Sequence, residues 1–196
     1  MIINKNYPGL SKHDVFDDYV IDGLIVDDSL VIDLDDALYI SGTLEVHGNL
    51  TANVPIELEC GEKLIVTGGL VAEEICGEDG VLLVDGEAHV NNINLSCVSI
   101  GQKAVVDNLQ CMYAVMKQDA KFETVNCACE MVVGGQLTAE KVFYFDEEDD
   151  CGEAGDQVES VIVGGDINCP DMRVMKLIDN CQDINAAISQ CLSNFH

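Results

Sequence analysis

The sequence predicts a right-handed parallel β-helix, a solenoid of about seven or eight coils that ends in an amphipathic α-helix. Three observations lead to this fold. A short apolar motif recurs at intervals that suit one coil, apolar residues alternate within each interval, and the periodicity becomes helical after Pro170. Stacked coils bury such alternating residues as continuous columns, since successive side chains of a strand point to opposite faces.

The repeated motif is Gly-x-Leu/Ile-x-Ala/Cys, with weaker copies in which the glycine or the leucine is replaced. Its seven copies begin at Gly48, Gly68, Gly86, Gln102, Gln118, Gly135 and Gly165. The intervals between them are 20, 18, 16, 16, 17 and 30 residues. Glycine pairs recur at one position of the coil and are interpreted as turn residues, where a positive φ is favoured.

The interval of 30 residues exceeds one coil by about a dozen, an excess that turns tolerate at low cost. Residues 146–157 supply the excess: they contain seven acidic side chains and show no apolar periodicity. The misfit in spacing therefore coincides with a change in composition, and this segment is predicted to be a loop inserted into one coil.

Both ends of a solenoid need cover, because an open end presents unpaired strand edges. Apolar residues at i, i+3 and i+4 spacing predict a helix over 171–194, packed over the C-terminal end or along a side. The predicted organisation is an N-terminal cap at 1–23, a solenoid at 24–170 and a C-terminal helical segment at 171–196.

Several cysteines fall into register with apolar residues of neighbouring coils. Leu95, Cys111 and Cys127 lie 16 residues apart, as do Cys97, Tyr113 and Cys129. Thiolates of Cys111, Cys127 and Cys129 suggest zinc as one interpretation. The alternative is that small cysteines fill a narrow core, and it is favoured because no paired C-x-x-C or histidine partner accompanies them. No metal or cofactor is expected.

The charge is extreme, with 36 acidic against 9 basic residues and a net charge of −27. Such a surface opposes close self-association and attracts cationic partners, while direct binding to nucleic acid or to an anionic membrane is not expected. The N-terminus has no apolar signal segment, and ten cysteines without one indicate reduced thiols in the cytoplasm.

Two acidic segments are candidate sites. Asp33-Leu-Asp-Asp36 offers oxygens to Ca²⁺, although its spacing matches no known calcium loop, and a solvated or partner-binding face is favoured. The insertion combines acids with the hydrophobic stretch 142–145, a composition typical of an interface. The predicted partner-binding residues are Tyr144, Asp146, Glu147, Glu148, Asp149, Asp150, Glu153 and Asp156.

The coils at about residues 40–169 resemble bactofilins, bacterial proteins that polymerise through β-helical domains. They also resemble small acidic solenoids that act as immunity proteins against bacterial toxins. The second resemblance, together with the charge, implies a non-enzymatic inhibitor of a basic, nuclease-type toxin, present as a monomer or dimer, with no catalytic residues. The alternative is a self-assembling scaffold. The terminal helix, the charge and the acidic insertion depart from the bactofilin pattern.

Overall fold

The chain forms a β-solenoid of about eight turns, as predicted. The computed structural model describes residues 1–12, 18–58, 61–143 and 158–195. Among the described residues all strand pairings but one are parallel, and each strand in these pairings lies beside the equivalent segment one coil earlier or later. The exception is an antiparallel pair near the N-terminus.

Seventeen strands and one helix follow each other along the described residues. Their bounds are β1 Ile2–Asn4, β2 Leu10–Lys12, β3 Tyr19–Val26, β4 Leu30–Asp33, β5 Leu38–Val46, β6 Leu50–Ala52, β7 Ile56–Leu58, β8 Lys63–Val66, β9 Leu70–Val84, β10 Ala88–Ile100, β11 Ala104–Met116, β12 Ala120–Val133, β13 Leu137–Phe143, β14 Val158–Val163, β15 Ile167–Asn168, β16 Asp171–Met172, β17 Val174–Ile178 and α1 Ile184–Leu192.

The pairings divide the solenoid into three faces. The first face contains β1, β4, β6, β15 and the opening residues of β9 to β13. The second contains the first halves of β3 and β5, β7, the middle of β9 to β12, the end of β13, and β16. The third contains the remaining halves of β3 and β5, β8, the ends of β9 to β12, β14 and β17.

Columns of inward side chains run through the whole stack and form one core. On the first face the column is Leu30, Leu50, Leu70, Ala88, Ala104, Ala120, Leu137 and Ile167. All but the last are buried, with at most 3% of their surface exposed. Burying one leucine or isoleucine contributes about 1.5–3 kcal/mol, so the alternation read from the sequence supplies the main stabilisation.

Connections from the third face to the first are uniform. Each contains three residues, from 27–29 to 164–166. The predicted turn glycines lie here, but none of them has a positive φ. They are needed because the coils approach closely: a Cβ at Gly86 would overlap the carbonyl group of Gly68 in the preceding coil.

The N-terminal segment predicted as a cap is partly built into the stack. β1 pairs with β4, and β3 pairs with β5, so both belong to the first coil. β2 runs antiparallel to β3 and occupies the outer edge of that strand. The Lys12 ammonium lies 3.8 Å from the centre of the Tyr19 ring and 3.3 Å from Asp36, which holds β2 in place.

The helix predicted over 171–194 is shorter, and this part of the prediction was wrong. Residues 171–178 form β16 and β17 of the last coil, and α1 begins only at Ile184. Apolar residues at 172, 174, 177 and 178 fit both periodicities, and pairing with β13 and β14 decides in favour of strands. The Asp183 side chain accepts a hydrogen bond from the Ala186 amide, as an N-cap does.

Helix α1 lies along a side of the solenoid. Ile188 and Cys191 pack on outward residues of the third face, namely Val115, Val132 and Ile162. The helix therefore joins several coils through their outer surface. Within the described residues, no helix has both the length and the apolar character that a membrane crossing requires.

Replacing Ile188 by alanine is expected to lower the free energy of unfolding by about 2–4 kcal/mol, because Ile188 is almost fully buried between α1 and the third face. Urea unfolding followed by circular dichroism measures the change. Gln190→Ala, on the exposed side of the same helix, is the control and should stay within about 0.5 kcal/mol of the parent protein. Equal effects would contradict this packing.

Candidate functional site

The coils differ in length, and from β9 onward all of the difference lies between the second and third faces. We counted the residues between the last second-face position and the first third-face position that are paired in all of these coils. From β9 to β14 the counts are four, two, two, three and sixteen. The separating pairs are Cys76 and Val81, Asn94 and Cys97, Gln110 and Tyr113, Asn126 and Glu130, and Phe143 and Ser160. In the same coils the first and second faces are joined by single residues, at 73, 91, 107, 123 and 140.

We call this edge the insertion edge; its described residues are 58, 61–62, 77–80, 95–96, 111–112, 127–129 and 158–159. In the sequence, the predicted insertion lies between β13, which ends on the second face, and β14, which lies on the third. Insertions in solenoids map to loops on one side of the stack, which is often the binding side. Bulges are likewise over-represented beside functional sites. The distribution of coil lengths therefore marks this edge as the candidate site.

One extra residue in β12 corrects the predicted cysteine registers. Tyr113 pairs with Glu130 rather than with Cys129, because the register shifts between Cys111 and Tyr113. Cys97 does pair with Tyr113, as predicted. In the other column Cys111 and Cys127 pair and are buried in the core, as predicted. Cys129 is half-buried on the insertion edge instead of continuing a column.

The eight predicted partner-binding residues, from Tyr144 to Asp156, lie outside the described part of the chain. Their attachment points are described: Phe143 is half-buried at the end of β13, and Val158 is buried at the start of β14. The structure thus describes the residues that flank the predicted binding segment, and the assignment of that segment stays a prediction.

A groove of about 540 Å³ lies on the same edge, beside the residues that follow α1. Its lining comprises Gly61, Asp79, Val81, Ser96, Cys97, Met112, Tyr113 and Asn194. Val81 and Cys97 form the buried part of this lining, while Asp79 is exposed and 45% of the Met112 surface is accessible. A volume of this size falls within the range of small-ligand sites.

The tyrosine and the two thiols at this groove are uncharged at neutral pH. The hydrogen bond between Tyr113 and Cys129, with help from the Glu159 carboxylate, raises the pKa of the tyrosine. Burial raises the pKa of the Cys97 and Cys129 thiols. The tyrosine and both thiols therefore stay protonated and neutral, and they supply apolar and weakly polar surface rather than a nucleophile.

Carboxylates lie next to this neutral lining. Glu78 and Asp79 are exposed side by side, and Glu130 follows Tyr113 in the adjoining coil. Glu159 is exposed and close enough to influence the Tyr113 hydroxyl. An aromatic ring and a thioether next to carboxylates suit a cationic side chain, since cations are attracted both to the charge and to the ring face.

The aspartates considered for calcium are engaged with neighbouring side chains. Asp35 accepts a hydrogen bond of 2.6 Å from the Tyr19 hydroxyl, which lowers the pKa of this carboxyl group. Asp36 contacts Lys12, and Asp33 accepts a hydrogen bond from the Asn53 amide at 3.0 Å. Among residues 1–12, 18–58, 61–143 and 158–195, no group of three or more potential ligands is arranged to hold a metal ion.

Sequence reasoning did not find the groove residues Asp79, Ser96, Met112 and Tyr113 as a site. The signal was present in the unequal intervals of the repeat, which show that coils contain extra residues but not on which edge. Pairing in the structure supplies that information.

In comparisons with protein-family models, curated proteins and solved structures, the chain matches none of them.

Gly77 fixes the shape of the insertion edge. It has a φ of +145°, and a Cβ there would overlap the carbonyl oxygen of Leu58 in the preceding coil. Gly77→Ala should therefore lower the melting temperature strongly. Gly61 also has a positive φ, but the space around its Cβ position is open. Gly61→Ala should therefore lower the free energy of unfolding by only about 1–2 kcal/mol. A smaller effect at Gly77 than at Gly61 would contradict the close approach.

The pKa of the Cys76 thiol is a measure of the electrostatics next to the insertion edge. Burial, with Glu57 and Glu74 nearby, raises the pKa of its thiol from 9.0 to about 11. At pH 8 its alkylation by iodoacetamide should be roughly a hundredfold slower than that of an ordinary thiol, because the thiolate fraction falls tenfold per pKa unit. Mass spectrometry of timed samples measures the rate, with the protein unfolded in urea as the control. Rapid labelling in the folded state would refute the shift.

Proposed function

We propose that this protein is a non-enzymatic inhibitor that binds a basic partner protein through the insertion edge, and that the partner is a nuclease-type bacterial toxin. The observation that carries the proposal is the concentration of every coil-length difference, from β9 onward, on an edge that also holds a groove with carboxylates next to it. The resemblance to acidic immunity proteins points to the same class of partner.

The charge supports a basic partner. A net charge of −27 attracts cationic proteins over long range and speeds their encounter. Nucleases carry basic surfaces because they bind phosphates, and the exposed carboxylates of this chain present negative charge to such a surface. The eight described cysteines are free, which suits action in the reducing cytoplasm.

The experiment is stopped-flow association with a basic nuclease encoded beside this gene. The association rate should fall about tenfold or more between low and high ionic strength, since salt screens steering by exposed charges. A rate that does not depend on salt would exclude electrostatic steering.

Matched triple variants locate the interface. Glu78→Gln, Asp79→Asn and Glu130→Gln neutralise two carboxylates on the insertion edge and one directly next to it. Glu73→Gln, Asp107→Asn and Glu123→Gln neutralise three on the edge between the first and second faces. Only the first variant should raise the dissociation rate, by about tenfold or more, because close contacts govern dissociation. Equal dissociation rates in the two variants would place the interface elsewhere.

The alternative function, a scaffold that assembles as bactofilins do, is favoured by one observation. Helix α1 lies along a side, and no described segment covers the outer edge of β17 in the last coil. Leu177, an inward residue of this coil, is 46% exposed, and residues 167–178 contain two basic side chains and one acidic one. An uncovered strand edge with little local repulsion can pair with another chain.

Light scattering in moderate salt separates the two functions. The inhibitor proposal expects a discrete monomer or dimer, because the charge on the remaining coils opposes close packing of copies. Filaments would contradict the inhibitor proposal and support the scaffold.

A further inference from the structure

The groove on the insertion edge carries a more specific inference, which rests on the proposed binding of a basic protein. We propose that this groove receives an arginine side chain of the partner, with its guanidinium group against the Tyr113 ring and beside the Asp79 carboxylate.

The lining offers what a guanidinium group requires. Tyr113 contributes an aromatic ring and Met112 a polarisable thioether, and both line the groove next to the buried Cys97. A guanidinium group is planar and weakly hydrated, so it stacks on aromatic faces at a lower desolvation cost than an ammonium group. Lysine, a strongly hydrated point charge, gains less from such surroundings.

Polar groups in the same lining match the donors of arginine. Asp79 provides a carboxylate, and the Ser96 hydroxyl and the Asn194 amide oxygen provide further acceptors. The nearby carboxylates Glu78 and Glu130 add negative charge without filling the groove. The five donors of a guanidinium group can use several such acceptors at once.

The tyrosine and the thiol at the groove do not change charge near physiological pH. Tyr113 and the neighbouring Cys129 remain neutral, so they do not compete with Asp79 for the ligand and do not change charge when it binds. Arginine keeps its charge in any protein environment. Binding should therefore be constant from pH 6 to pH 8.

The test titrates the full-length protein, labelled with ¹³C at its methionine methyl groups, with the blocked peptide acetyl-Gly-Arg-Gly-amide. The Met112 methyl signal should shift in a saturable way, with a dissociation constant in the millimolar range. The lysine peptide should bind at least about fivefold more weakly, since it cannot stack in the same way.

Variants make the test specific. Asp79→Asn and Tyr113→Leu should each weaken arginine binding at least fivefold, whereas Tyr113→Phe, which keeps the ring, should retain it. Glu123→Gln removes one exposed carboxylate from another edge and should change nothing. No saturable shift of Met112, or equal weakening by Glu123→Gln, would overturn the proposal.

The outcome is separable from that of the proposed function. If the arginine peptide binds as described but no basic nuclease forms a complex, the groove assignment stands and the inhibitor proposal fails. If a nuclease binds tightly while the peptide leaves Met112 unchanged, the inhibitor proposal stands and the groove assignment fails.

Discussion

The parallel register between neighbouring coils constrains everything else in this protein. Each strand is hydrogen-bonded to the equivalent segment of the coils before and after it, about 4.8 Å away. A residue added within a face would turn every following side chain of that strand to the opposite side. Extra residues must therefore leave the stack at an edge. From β9 onward the third-to-first connections keep three residues, the first-to-second connections mostly keep one, and the second-to-third connections vary.

The same register determines how the chain tolerates its charge. Side chains at equivalent positions of successive coils stack, so a column of carboxylates would repel itself strongly. Along the edge between the first and second faces, acidic side chains alternate with asparagines in the earlier coils, at Asp33, Asn53, Glu73, Asn91 and Asp107. In the later coils three acidic residues follow one another, Asp107, Glu123 and Glu140. Asn53 donates a hydrogen bond to Asp33, which turns one step of the column into an attractive contact. Charge is thus spread around a stack whose interior is apolar throughout.

Much of this fold is predictable from the sequence, because a repeat presents the same evidence several times. The intervals between Gly68 and Gly165 agree with the observed coil lengths, and the alternating columns agree with the core. The third-face strand β17 was predicted as helix, since five residues are too few to separate the two periodicities and only pairing with β14 decides. The predicted register of Cys129 was wrong, because a comparison of residues 16 positions apart cannot detect a single bulge. The groove was beyond prediction: its residues come from four coils and the segment after α1, and only the stacked arrangement brings them together.

The central claim is that the insertion edge is the binding surface, and site-specific photocrosslinking in the cells that produce the protein tests it most directly. A photoreactive residue replaces Ser96 on the insertion edge in one variant and Thr51, exposed on the first face, in another. The account predicts a discrete adduct with a basic protein from position 96 and none from position 51. Adducts of the same kind from both positions, or from position 51 alone, would contradict the assignment of the insertion edge as the binding surface.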